Sequence, residues 1–224
     1  MYETEILKNF SSMPVFSLSD VNQIIENRDY AKKFLKRMLL NKKVFKIKKN
    51  SYTLHDDSFL VSNFLVKPSY ISSISALSYH RLITQIPNEV FCMTSKNSSK
   101  IKFDNLINFF HTNYFFGFKE ERYEDFKILI AEPEKAIIDS FFIVPVSIFD
   151  EALENIDAEK MINYLKKMGK GSIIKRVGYL MEERGIMVYD KLKRFINYKY
   201  IPLDPLLKRN GRKNKKWKII INTK

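Results

Sequence analysis

The first 55 residues hold three apolar stripes at helical spacing, followed by two short alternating runs. Few small folds satisfy that order. Ile6, Leu7 and Phe10 mark one face of a helix from Glu3 to Phe10, and Pro14 blocks its continuation. Ser17 or Ser19 can cap a second helix with Asp20 in its first turn, showing Leu18, Val21, Ile24 and Ile25. The polar break Glu26-Asn27-Arg28-Asp29 precedes a third helix, Tyr30 to Leu40, with Ala31, Phe34, Leu35, Met38 and Leu39 on one stripe. Val44 to Ile47 and Ser51 to Leu54 then alternate around Lys48-Lys49-Asn50, a β-hairpin signal. Helix, helix, helix, hairpin is a winged helix-turn-helix layout.

Stepping 100° per residue places the apolar side chains of the third helix opposite Lys32, Lys33, Lys36 and Arg37. A helix that docks one face on its own domain and presents cations on the other suits the major groove of duplex DNA. Arg28 ahead of the helix, Lys46 on the hairpin, and Lys48 and Lys49 at its tip extend the cationic set toward flanking phosphates. Charge placement agrees with this reading. Residues 1–55 carry 11 Lys/Arg against 5 Asp/Glu, residues 191–224 carry 12 against 1, and the 135 between them carry 16 against 19.

Beyond an expected boundary at 58/59, with residues 56–64 as a seam, the pattern changes. Pro68-Ser69 is expected to open a helix from Tyr70 to Leu82. Strand-like runs follow at Val90 to Thr94, Lys100 to Phe103, Ile107 to His111, Tyr114 to Phe118 and Phe126 to Ile130, with Glu120-Glu121 as a turn. Pro133 fits the first turn of a helix reaching Phe142, with Glu134 favourable beside it. Helices are expected at Asp157 to Met168 and at Ser172 to Glu183, where Gly178 allows close helix contact, and a strand at Trp217 to Asn222. The fold class is α+β: a winged helix-turn-helix over 1–58, then a mixed α+β domain over 59–224.

The class of protein is bounded as well. No run of about 18 apolar residues occurs, so no membrane span is expected. The acidic start, MYETEILKNF, does not read as a secretory signal, and one cysteine, Cys92, fits a reducing cytoplasm. His55, His80 and His111 lie far apart and lack metal-ligand spacing with Cys92. No P-loop, nucleophile elbow or zinc-protease motif is present. Glu134 and Asp139 point about 140° apart on one helix and cannot share a metal there. We therefore expect no catalytic residues, metal or cofactor.

Tyr70-Ile71-Ser72-Ser73-Ile74-Ser75-Ala76-Leu77-Ser78-Tyr79-His80 resembles a helix of the AbiEi antitoxins, and the Thr94 strand and Phe115-Phe116-Gly117 resemble strands of that family. Ala131 to Asp139, with Pro133, Glu134 and Lys135, is similar to a further segment of the family and is the most specific of these matches, and Asp204, Pro205, Trp217 and Asn222 resemble its C-terminal ending. Arg81 departs from the glycine many members carry there. The resemblance covers nearly the whole chain. It implies a transcriptional autorepressor and antitoxin of a type IV, abortive-infection system, binding promoter DNA and counteracting a nucleotidyltransferase-like toxin without requiring a stable complex. Because the matching motifs lie after about residue 65 and the basic helix does not, antitoxicity is expected to reside there, separable from repression. A stand-alone winged-helix transcription factor with a ligand-sensing or assembly domain is the alternative.

Lys208, Arg209, Arg212, Lys213, Lys215 and Lys216 place six cations and no acid in nine residues. They read either as a solvated loop turning at Asn210-Gly211 or as a second nucleic-acid surface.

Overall fold

Residues 2–223 are described by a computed structural model, a mixed α+β fold. Its helices are α1 (Tyr2–Phe10), α2 (Leu18–Ile25), α3 (Arg28–Leu40), α4 (Ser58–Leu65), α5 (Ser73–Tyr79), α6 (Pro133–Ser140), α7 (Ala158–Met168), α8 (Gly171–Glu183) and α9 (Tyr189–Leu192). Its strands are β1 (Phe45–Lys48), β2 (Ser51–Thr53), β3 (Ser69–Ile71), β4 (Glu89–Thr94), β5 (Ser99–Lys102), β6 (Leu106–His111), β7 (Phe118–Tyr123), β8 (Phe126–Ala131), β9 (Ile201–Pro202), β10 (Arg212–Asn214) and β11 (Ile219–Ile221). Two compact units divide the chain. The first takes the chain up to Ile71, Asn88–Thr112 and Glu120–Leu129; the second takes Ser72–Pro87, Asn113–Lys119 and the chain from Ile130 on.

In the first unit, α1 to β2 form the three helices and hairpin expected, around a buried cluster running from Ile6 to Val44. A capping box starts α2: the Ser17 hydroxyl accepts from the Asp20 amide, and the Asp20 carboxylate accepts from the Ser17 amide at 2.6 Å. Glu26 ends α2 in the left-handed region, and Asn27 caps α3 by accepting from the Tyr30 amide at 3.0 Å. The break between these helices is thus only two residues, and Arg28 and Asp29 already belong to α3. Phe16 bridges to Tyr52 through two backbone hydrogen bonds of 2.8 Å, tying the hairpin to the start of α2.

Residues 56–64 are not a seam. Asp57 accepts from the amides of Phe59 and Leu60 and starts α4, whose Leu60 and Val61 are fully buried. Nor does a helix begin at Tyr70. Tyr70 and Ile71 pair antiparallel with Met93 and Cys92, and the helix starts only after Ser72. An aromatic and a β-branched residue beside an available strand favour the sheet.

The main sheet runs β5-β6-β4-β3-β8-β7, with β4 parallel to β6 and β5 antiparallel to it. The expected strand at Tyr114 to Phe118 and turn at Glu120-Glu121 are displaced. Asn113 to Gly117 is irregular, the strand is Phe118–Tyr123, and the turn falls at Glu124, whose φ is 52°. Both edges tolerate charge because one side faces no strand. Lys100 and Lys102 lie on β5, and Lys119, Glu120, Glu121 and Arg122 lie on β7, which discourages edge pairing.

In the second unit, Asp157 caps α7 and Gly169 ends it in the left-handed region. The helix after Pro133 stops at Ser140 rather than Phe142. The small sheet β10-β11-β9 places β11 antiparallel to β10 and parallel to β9. Gly178 meets an indole instead of another helix: an added Cβ would lie 2.1 Å from the Trp217 ring.

Candidate nucleic-acid interface

On α3, Ala31, Phe34, Leu35 and Met38 are buried, and Arg28, Lys32, Lys33, Lys36 and Arg37 are exposed. These cations are not equivalent. Lys32 pairs with Asp29 at 3.1 Å, and Arg37 lies 3.9 Å from Glu3 and over the Phe34 ring. The Lys43 hydrogen bond holds the Glu3 carboxyl below its ordinary range, which keeps it charged. Among the described residues, Arg28, Lys33, Lys36, Lys46 and Lys49 have no carboxylate within ion-pair reach. Lys48 donates to the Leu65 carbonyl at 3.2 Å, which anchors the hairpin tip.

Sequence reasoning missed a groove beside this face. Leu18, Ser19, Asn22, Gln23, Arg28, Lys49, Asn50 and Tyr52 line an open depression of about 720 Å³. Asn50, at φ 59°, makes the hairpin turn and accepts from the Leu18 amide at 3.1 Å. That bond ties the hairpin tip to the first turn of α2 and brings Arg28 and Lys49 to one opening. The signal was the asparagine at the hairpin turn, which tolerates the left-handed region.

The positions that carry the family resemblance are mostly internal. Tyr70 and Leu77 are fully buried, and Ser75 nearly so. His80 ends α5, and its Nε2 donates to the Ala131 carbonyl at 2.8 Å. Pro133 starts α6, and Glu134 beside it accepts from the Asp157 amide at 2.9 Å. Lys135 and Asp139 form a buried ion pair, and the Ser72 hydroxyl donates to Asp139 at 2.7 Å instead of capping α5. Gly117, at φ 74°, turns under Tyr164 and Lys135, where a Cβ would lie 2.9–3.0 Å from their side chains. Asp204 is buried, accepting from the Val146 and Leu206 amides at 2.8 Å. Pro205 follows it, half-buried. Asn222 donates to the Asp204 carbonyl at 2.8 Å, and the Trp217 indole donates to Glu182 at 2.8 Å. These groups tie segments together; they do not converge on an open cleft.

The C-terminal cations are partly structured. Arg212 and Lys213 lie on β10, and Gly211 at φ 140° allows β10 to pass close to β11, because an added Cβ would lie 1.9 Å from the Ile221 carbonyl oxygen. Lys216 pairs with Glu182 at 2.7 Å, Arg209 donates to the Tyr200 carbonyl, and Lys213 lies over the Tyr200 ring. Lys208 and Lys215 are exposed.

Burial raises the Cys92 thiol to about 12, so it carries no thiolate near neutrality. Among the described residues, no group of three His, Cys, Asp or Glu side chains could hold a metal ion, and no helix is long and apolar enough to cross a membrane.

No protein-family model matches the chain, and no curated protein does. Among solved structures it is similar to the crystal structure of the RV2827C protein from Mycobacterium tuberculosis, with a TM-score of 0.70 over 97% of this chain and 90% of that one. At 11% identity the likeness is one of fold.

Proposed function

We propose that the chain is a cytoplasmic DNA-binding autorepressor and antitoxin of the AbiEi type, not an enzyme. Its α1–β2 segment acts as a winged helix on promoter DNA. The second activity counteracts a nucleotidyltransferase-like toxin. The observation that carries the DNA reading is α3 itself. It buries Ala31, Phe34, Leu35 and Met38 and turns unpaired Lys33 and Lys36 outward, beside a hairpin bearing unpaired Lys46 and Lys49. Such a helix can enter a major groove while the hairpin cations neutralise phosphates. The antitoxin reading rests on the order of the sequence motifs. Because those positions are largely buried supports, a stand-alone winged-helix transcription factor is the second reading. Growth rescue on co-expression with a neighbouring nucleotidyltransferase gene separates the two.

Replacing Lys33, Lys36 and Arg37 with alanine tests the DNA reading. All three are exposed, and the Arg37–Glu3 pair is worth at most about 1 kcal/mol, so stability should hardly move. The slope of log affinity against log salt should become shallower by about one unit for each phosphate no longer neutralised. Unaltered promoter affinity and slope in the triple variant would rule out this use of α3.

A further inference from the structure

The C-terminal half of the second unit gathers cations around one aromatic residue without neutralising them. Lys213 and Lys218 place their ammonium groups 5.4 and 5.5 Å from the Tyr200 ring centroid. Arg209 holds the Tyr200 carbonyl. Lys175, 1% exposed, donates to the Lys199 carbonyl at 2.6 Å and to Asn197 Oδ1 at 2.8 Å. Burial, and after it the charge of Lys218, lower the Lys175 ammonium.

The acids nearest in sequence are already committed. Both Asp204 oxygens accept backbone amides, and Glu182 is occupied by Lys216, Trp217 and the Tyr189 amide. Tyr198, two residues before Tyr200, is 79% exposed. A solvated loop explains scattered lysines. It does not explain a backbone pinned by a buried lysine and an arginine so that cations flank the half-buried Tyr200 ring, two residues from the exposed Tyr198.

We propose that the face built by Asn197 to Tyr200 and the β10–β11 hairpin binds single-stranded nucleic acid. Lys199, Arg209, Lys213 and Lys218 take successive phosphates, and Tyr198 stacks on a base. A single strand is favoured over a duplex because an exposed ring needs an unstacked base face, and a duplex hides its base faces. Lys213 lies on β10 and Lys218 just ahead of β11, on a hairpin rather than on a helix shaped for a groove. RNA and single-stranded DNA share this chemistry, and the inference does not depend on α3.

The test uses the full chain carrying K33A, K36A and R37A, which removes the contribution proposed for α3. Binding of 12-nucleotide oligo(U), oligo(dT) and a 12-base-pair duplex is followed by fluorescence anisotropy between 50 and 200 mM salt. Both single strands should bind more tightly than the duplex, with a log–log salt slope near −3 for about four neutralised phosphates. The tighter of the two identifies the source. K199Q, R209Q, K213Q and K218Q together should weaken single-strand binding at least about tenfold at 50 mM salt. Tyr198→Ala alone should weaken it about fivefold or more and leave the slope unchanged. Tyr198 is so exposed that this variant keeps its fold even if the quadruple variant does not. Duplex binding as tight as single-strand binding, or a Tyr198→Ala variant that binds like its parent, would overturn the proposal.

Discussion

Gly178 shows how one residue can depend on a partner far along the chain. It sits inside α8, where alanine would normally gain about 1 kcal/mol of helix propensity. The Trp217 ring occupies the space a Cβ needs, at 2.1 and 2.3 Å. That ring cannot yield cheaply: it is 1% exposed, donates to Glu182, and meets Tyr189 edge-on at 5.2 Å. Gly178→Ala should therefore destabilise the chain by about 1–3 kcal/mol, overpacking outweighing propensity. Urea unfolding measures it, and a more stable variant would contradict the packing argument. A glycine in a helical run is visible in the sequence, but the indole 39 positions later is not. The exposed cations of α3 were legible for the opposite reason: helical period alone puts Lys33 and Lys36 across from Phe34 and Met38.

At the scale of elements, α6 and α7 are joined through Glu132, the residue that precedes α6. Lys160 donates to its carboxylate at 2.5 Å, and the Tyr164 hydroxyl donates to the other oxygen. Burial alone would raise this carboxyl, but the hydrogen bonds from Lys160 and Tyr164 outweigh it and hold the group below its ordinary 4.5. A carboxyl lowered in the folded chain contributes stability above its unfolded value, and that stability is lost as pH falls through the folded one. Glu132→Gln should cost about 1–2 kcal/mol at pH 7. The gap from the parent should narrow as pH falls below about 4.5, which denaturation at pH 7, 5 and 3 would detect. A gap independent of pH would mean that the carboxylate charge is not what joins the helices. The sequence shows Pro133 and Glu134 at a helix start, because that signal is local. It does not show which helix the preceding acid would meet.

For the whole molecule, the placement of α4 decides where the chain can be cut. The α1–β2 segment has its own buried cluster, whereas α4 caps itself with Asp57 and buries Leu60. Asp57 also accepts from the Tyr123 hydroxyl at 2.8 Å, and Ser58 accepts from the Asn105 amide at 2.9 Å. A chain beginning at Asp56 should therefore unfold cooperatively. One beginning at Val61 should be less stable by about 3 kcal/mol or more, losing the cap and a buried leucine. Equal urea midpoints for the two would show that the start of α4 is dispensable. What the sequence by itself determined were features set within one helical turn or one hairpin: α1 to β2, the cationic face of α3, and the cap of α2. Tertiary structure alone decided that Tyr70 and Ile71 join a strand, that Asn113 to Gly117 leaves the sheet while charged β7 forms its edge, and that Trp217 fills the space over Gly178. Each of those outcomes depends on a partner distant in the chain. Local propensity is worth tenths of a kcal/mol per residue and yields to pairing and burial wherever such a partner is at hand.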